Sequence, residues 1–451
     1  MWYDKNSSES NFWLMTRPIV ISIAPNTEKD DAHLALRQLL RLHRHRRQDP
    51  TRHRAVEQRL QQAVSQPHVI LTSSGRSAIT RTLQAAGVGR GDDVITQAFT
   101  CLVVPNAIRA AGARPVYADS NPATYNLDPS ALARVITPRT KALIIQHTFG
   151  LAAPMSDILR LAHQHKLFVI EDCAHALGGT YDGRPLGSFG DAAILSFGRD
   201  KMISSIFGGA VAVRSSALAN TLRRAEEKLP LPPRRWVIQQ LLHPIVSWYI
   251  ILPLYFRNSL GKINLVLLQK LGIISRAVSA EERQGHPPDV MRWRFSPALL
   301  PLLELQLQKL PRFTAHRRQI TARYTSAFPA ALPVDRIRPP QALLRFPLRL
   351  TNRNTMLRDA KAHHLLLGDW YASPVVPAAI AAVTGYIDGS CPNAEAIASE
   401  IINLPTYPRL TVQQAEEVIT FVKTYAGQQD LAGADGHMGA NTDHHRRNAA
   451  S

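Results

Sequence analysis

The sequence predicts an α/β fold in which a large domain built on a mostly parallel sheet precedes a smaller α+β C-terminal domain. Three observations carry this expectation. Between Val69 and Val213, short β-branched and apolar runs alternate with amphipathic helical stretches, the signature of βαβ crossovers packed on both faces of a parallel sheet. Beyond Pro297 helical periodicity dominates with few strands, which suits a second domain. The 451 residues are 45% hydrophobic and 19% charged, which excludes a disordered chain and a polytopic membrane protein.

Residues 1–62 form an N-terminal segment. Its opening MWYDKNSSESNFWLM lacks an apolar run behind basic residues, so no cleaved secretory signal is expected. RQLLRLHRHRRQDPTRHRAVEQR, from Arg37 to Arg59, is the densest basic stretch of a chain whose formal net charge is +19. Two readings stay open here, a solvated helix face and an arm contacting nucleic acid or a membrane. No helix-turn-helix or RNA-binding signature supports the nucleic-acid reading.

Residues 63–227 carry the sheet. HVILT, DVITQ, RPVYAD, KALIIQH, LFVIED, AAILSF and GAVAV read as strands, and SAITRTLQAAG, VPNAIRAAG, PSALARVI and MSDILRLAHQH as helices. The rhythm breaks at 228–286. After the linker PLPPRR, the run from Trp236 to Phe256 has no formal charge and is flanked by Arg235 and Arg257, and INLVLLQKLGII follows. The first run is long enough to span a bilayer, but Pro244, Pro253 and its polar residues weaken a span. Helices lying in a membrane interface and helices packed on the protein body are the other readings. Peripheral membrane contact through 236–274 is the expectation, the basic flanks matching an anionic leaflet.

Residues 287–426 contain a long helical pattern through LPRFTAHRR, a strand RFPLRL and a helix TMLRDAKAHHLL. LLLGDWYASPVVP, Leu365 to Pro377, contains Trp370 and Tyr371. These aromatics either face a sugar or close the small-domain core. Asn403 and Tyr407 are further pocket candidates. Residues 427–451 lack apolar periodicity and are expected to be disordered. Cys101, Cys173 and Cys391 form no disulfide framework or zinc spacing, consistent with a reducing compartment and no metal.

Three features carry chemistry. TSSGRSAI, Thr72 to Ile79, is a strand, a small polar turn and a helix start. There Gly75, Arg76 and Ser77 could cradle a phosphate or simply cap the helix. VIEDCAHALG ends an apolar strand at Glu171 and Asp172, with His175 three residues on. Carboxylates at the carboxyl end of a parallel strand face the ligand crevice. An Asp there can hold a proton on a pyridine nitrogen or cap a helix. AAILSFGRDKMISSIFGGAVAV places Ser196 and Lys201 between two buried strands. A lysine there is unusual unless its amine is used.

The ordered set of phosphate turn, acidic strand end, Ser-Phe-x-x-x-Lys and Gly-Gly resembles the DegT/DnrJ/EryC1/StrS family of pyridoxal-phosphate-dependent sugar aminotransferases. The resemblance is close from Thr72 to Val213 and returns at LPRFTAHRR and INLPTYPRLT. It implies a fold-type I aminotransferase, a homodimer with its sites at the subunit interface, and pyridoxal 5'-phosphate as cofactor. It also implies that Lys201 attaches the cofactor and moves protons, that Asp172 pairs with the pyridine nitrogen, and that His175 lies near the phenolic oxygen. Gly75, Arg76 and Ser196 would contact phosphate, and His147 in QHTFG matches the family's His-x-x-Gly beside the active site. Cys101 stands where the family commonly stacks an aromatic ring, with Phe99 two residues earlier. Arg292, in RWR, stands where the family supplies an Asn to the partner's phosphate, and Phe207 where an acidic residue is common. Related dehydratases carry His where this chain has Lys201.

The expected function is transfer of an amino group from an amino acid, glutamate being the expected donor, to a nucleotide-linked keto-sugar for polysaccharide or glycan synthesis. The alternative is a regulatory or membrane-recruiting protein that keeps the fold without catalysis. The expected location is the cytoplasm, with a peripheral site on the inner face of the membrane.

Overall fold

A computed structural model describes residues 19–44, 49–255, 260–276, 278–332, 341–376 and 381–425. The expected disordered tail lies outside the described residues, as do residues 1–18 and 45–48 of the N-terminal segment. Two helices precede the sheet, α1 Lys29–Leu40 and α2 Pro50–Val64. Residues Val56, Leu60 and Val64 of α2 are buried, a spacing of four that puts them on one face. They pack under the sheet beside the long helix described below. Asp49 caps α2, and Arg52 pairs with Glu304 at 2.7 Å. This part of the basic stretch is therefore a packed amphipathic helix, as the solvated-face reading has it.

All seven strands read from the sequence form: β1 His68–Thr72, β2 Asp93–Gln97, β3 Arg114–Ala118, β4 Thr140–Gln146, β5 Phe168–Asp172, β6 Ala192–Ser196 and β7 Gly209–Val213. Their spatial order is β1-β7-β6-β5-β4-β2-β3. The pairs among β6, β5, β4, β2 and β3 are parallel. Helices α3 Gly75–Ala85, α4 Val103–Ala110, α5 Pro129–Val135 and α6 Met155–Gln164 make the connections. Strand β7 runs antiparallel to both neighbours. No helix separates it from β6, and a parallel pair needs a long crossover. The chain instead turns back through a loop that carries Lys201.

Side chains alternate across the sheet as the strand period requires. Ile70, Ile194 and Val211 pack with Ile79 and Leu83 of α3 on one face. Val69, Leu71, Leu195 and Ala210 pack on the other with residues of α2 and of the long helix, such as Leu303 and Phe313. Helix α7 Ser216–Glu227 follows β7.

The next segment forms α8 Arg234–Val246, which continues through a π-helical turn, Ser247–Ile251, to Leu254. By length and composition this continuous helix could cross a membrane, yet half of its apolar window is buried in the protein. Helix α8 packs on α1, and α9 Leu260–Lys270 folds back against the π-helical turn. The long α10 Leu300–Ala327 leads to β8 Arg345–Arg349, α11 Arg353–Ala362, α12 Pro392–Glu400, β9 Ile401–Pro405 and α13 Val412–Tyr425. Strands β8 and β9 pair antiparallel, over a core that includes Tyr324, Phe346 and Ile402.

Candidate active site

A cavity of about 480 Å³ opens where β5 and β6 end, the crevice in which open α/β sheets bind ligands. Lys201, on the loop between β6 and β7, places Nζ 3.0 Å from His175 Nε2. The imidazole of His175 stacks on Trp370, with ring centres 5.7 Å apart and planes at 14°. Lys201 Nζ sits 5.5 Å from the centre of the same indole. His175 Nδ1 accepts the Phe149 N–H at 3.4 Å. That bond leaves a neutral imidazole's proton on Nε2, so the contact with Lys201 is a hydrogen bond only when Nζ is an uncharged amine able to accept it. Burial pushes His175 well below the usual histidine range, and the charges of Lys201 and Arg345 push the same way, so the ring is neutral at pH 7.

Asp172 is the last residue of β5 and borders the cavity. Its Oδ1 accepts the Ala174 N–H at 3.0 Å. Burial raises its carboxyl above the ordinary range, while that amide and the charges of Lys201 and His147 act against the rise. A buried carboxylate turned toward a cavity is stabilised by a cation placed there, and a protonated pyridine nitrogen is such a cation.

The phosphate end is built where β1 meets α3. Ser74 caps the helix by accepting the Ser77 N–H, and Gly75 and Arg76 line the cavity. A Cβ on Gly75 would lie 3.2 Å from Ser196 Cβ. One on Gly209 would lie 2.4 Å from the Ser74 carbonyl carbon and 2.6 Å from Gly75 N. Glycine at these positions lets β7 and Ser196 close around the first turn of α3, whose amides and dipole favour an anion. The residues present therefore fit pyridoxal phosphate, with a phosphate cradle at one end, Asp172 for the ring nitrogen and an amine beside both. Gly209→Ala is expected to force this turn apart at a cost of about 1–3 kcal/mol. A thermal melt checks this, together with a pyridoxal-phosphate titration in which half-saturation moves to higher concentration.

Several expectations are corrected. His147 does not line the cavity. It is fully buried, its Nε2 lies 3.2 Å from Glu171 Oε2, and its Nδ1 accepts the Ala153 N–H. Gln146 and Asp172 are in register and border the cavity, so by strand alternation His147 and Glu171 point to the other face. Glu171 there accepts the amides of Gly187, Phe189 and Gly190. Although burial opposes it, His147 and the amides of Gly190 and Gly187 hold its carboxyl below the ordinary range. Arg76, expected at the phosphate turn, does border the cavity, with its guanidinium paired with Glu282, so it offers an anion its backbone N–H at the helix N-terminus rather than its side-chain charge. The expectation for Arg292 stands apart from these, because it concerns the partner subunit's phosphate; Arg292 lies outside this chain's own cavity lining, its side chain 76% exposed and 3.6 Å from Asp289.

Cys101 borders the cavity, and burial raises its thiol pKa. Phe99 turns away into the core against Phe149 and Tyr371. Trp370 and Tyr371 line the cavity and also pack on the core. Asn403 accepts the Trp370 N–H and donates to its carbonyl, which positions the indole. Neither Asn403 nor Tyr407 borders the cavity.

Sequence reasoning missed Gln146, Arg199, Val278 and Arg283 as cavity residues. Arg199 stands two positions from Lys201, which was a usable signal. Val278 and Arg283 come from the end of the apolar segment, and nothing local marks them.

With the geometry in place, comparison with known proteins is informative. The profile of the DegT/DnrJ/EryC1/StrS aminotransferase family matches residues 27–228 and 297–423. The pleiotropic regulatory protein of Geobacillus stearothermophilus is 29% identical over 78% of this chain and 83% of that protein. The GDP-perosamine synthase of Caulobacter vibrioides is 40% identical over 169 residues, 38% of this chain and 46% of the synthase. The crystal structure of S. venezuelae DesV in complex with a ketimine intermediate is 25% identical, with a TM-score of 0.63, covering 83% of this chain and 89% of that one. The profile matches well over half of the residues, so this chain belongs to the DegT/DnrJ/EryC1/StrS aminotransferase family.

Proposed function

We propose that the protein is a pyridoxal-phosphate-dependent transaminase that moves an amino group from an amino acid, with glutamate as the donor, to a nucleotide-linked keto-sugar in glycan synthesis. The observation that carries this reading is the gathering of Lys201, His175 and Asp172 around one cavity beside a glycine-framed helix N-terminus. When bound, pyridoxal phosphate supplies an electron sink for charge developing on the substrate carbon. Lys201 would hold it, and its Nζ would be the atom that takes up and returns a proton beside that carbon. Asp172 would hold a proton on the pyridine nitrogen. His175, neutral and held by Phe149, directs its Nε2 proton toward the reacting end.

Trp370 and Tyr371 offer flat surfaces for a sugar ring. The guanidinium of Arg283 at the cavity wall suits the phosphates of a nucleotide carrier. The name of the perosamine synthase, which makes a GDP-linked amino sugar, supports this substrate class. The exposed Arg292 fits a homodimer in which it reaches the partner's phosphate end. A cytoplasmic location completes the reading.

The relative matched over most of the chain is named a regulatory protein, so a non-catalytic role is the second reading. One experiment separates the two. Purified protein loaded with pyridoxal phosphate is mixed with glutamate, and the visible absorbance is followed. Loss of the long-wavelength band, and its return on adding nucleotide keto-sugars from a panel, is the expected result. A band that no amino acid bleaches would sink the transaminase reading.

A further inference from the structure

The segment that the family profile skips, between residues 228 and 297, presents a surface the catalytic reading does not use. Helix α9 is apolar on both sides. Leu265 and Leu268 pack inward on a small cluster with Val246 and Ile251. On the outside, Leu260, Ile263, Leu267 and Leu271 are 42%, 57%, 49% and 61% exposed, and Val266 is 42% exposed. An exposed apolar face of this kind marks an interaction surface. Of the eleven large exposed hydrophobics among the described residues, seven fall between Tyr249 and Leu271.

The patch continues onto α1. The Tyr249 hydroxyl lies 2.7 Å from His33 Nε2. Leu36 and Leu40 share that helical face with His33 by their spacing of three and seven, and they are 43% and 75% exposed. The formal charge of the segment that carries α8 and α9 has one sign. From Lys228 to Ala280 there are seven basic residues, Lys228, Arg234, Arg235, Arg257, Lys262, Lys270 and Arg276, and no Asp or Glu. A second protein surface would usually be met by charges of both signs at its rim. A segment that combines exposed apolar side chains with lysine and arginine and no carboxylate of its own matches the acyl boundary and anionic headgroups of a bilayer.

We propose that the outer face of α9, with Tyr249 and Ile250, docks the enzyme on an anionic phospholipid membrane, lying in the interface rather than spanning it. Span geometry is disfavoured because one side of α8 is already packed on α1, with Val237, Gln240 and Leu241 buried. The docking element also touches the site. Arg199, at the cavity wall, donates to Gln240 of α8 and to Ser275 just beyond α9, so docking holds that wall beside the bilayer.

The test is sedimentation of the full-length, cofactor-loaded protein with vesicles of phosphatidylglycerol and phosphatidylcholine, and with phosphatidylcholine alone. Binding is expected only to the anionic vesicles and is expected to weaken with added salt. Ile263→Glu with Leu267→Glu, and separately Lys262→Glu with Lys270→Glu, are expected to reduce binding at least about tenfold. Both variants should leave the cofactor absorbance and transaminase rate unchanged, which separates this proposal from the catalytic one. Three results overturn it: no binding of wild type to anionic vesicles, equal binding by the variants, or a wild-type assembly that light scattering shows falling apart in the Ile263→Glu, Leu267→Glu protein without any vesicle binding. The last would assign the face to a second copy of this chain.

Discussion

Lys201→Ala is expected to remove the visible absorbance of the cofactor-loaded protein and to lower transamination by at least about 10²–10⁴-fold, the range of a positioned acid–base group. The larger figure is favoured because Lys201 has two tasks, covalent attachment and proton transfer. Its Nζ is 3.0 Å from His175 Nε2, and the described cavity wall offers no second lysine. Lys201→Arg is a strict control. It keeps a cation over the Trp370 ring, where Nζ now sits, but a guanidinium stays charged and cannot attack a carbonyl. It should be as colourless as the alanine variant and should melt near the wild-type temperature. A covalent cofactor adduct trapped by borohydride in either variant would remove Lys201 from its role while leaving the fold intact.

Asp172→Asn should separate function from stability. Asparagine fills the same space but cannot hold a positive pyridine nitrogen, so the rate is expected to fall by about 10²–10³-fold, as for other preorganised electrostatic groups. The cofactor should still bind through Lys201 and the phosphate cradle. The stability effect has the opposite sign. Burial raises the Asp172 carboxyl above its unfolded value of 3.8. Unfolding therefore releases a proton once pH exceeds that value, and wild type loses stability as pH rises from there through the folded pKa. The neutral amide escapes this loss. Cofactor-free Asp172→Asn is therefore expected to melt at or above the wild-type temperature at pH 7 and to lose less stability between pH 4 and pH 7. Melting curves of the two apo proteins across that range check it, and a variant melting below wild type at pH 7 would contradict this account of the buried charge.

Much of the site was legible because its signals are local. Asp172 ends an apolar strand, Ser196 ends another, and Lys201 follows within one short loop, so proximity in sequence already placed them near strand ends. The glycines also sit beside these strands. His147 shows where local reading fails. It is one residue beyond Gln146, and that single step turns it from the cavity to Glu171. The sequence cannot show which of two adjacent residues faces the ligand until the register of β4 against β5 is known. The Arg76–Glu282 pair was illegible for another reason, since Glu282 lies 206 positions away in a segment with no catalytic motif.

The sequence by itself determined the strands, the crossover helices and the order of the phosphate turn, Asp172 and Lys201, because hydrophobic period and turn chemistry act over a few residues. Tertiary structure alone decided that β7 runs antiparallel, that Trp370 stacks on His175, and that Val278 and Arg283 wall the cavity. It also decided which half of the apolar segment is buried on α1 and which half of α9 stays bare. These outcomes depend on contacts between residues tens to hundreds of positions apart, and amphipathic periodicity specifies a face without naming what covers it.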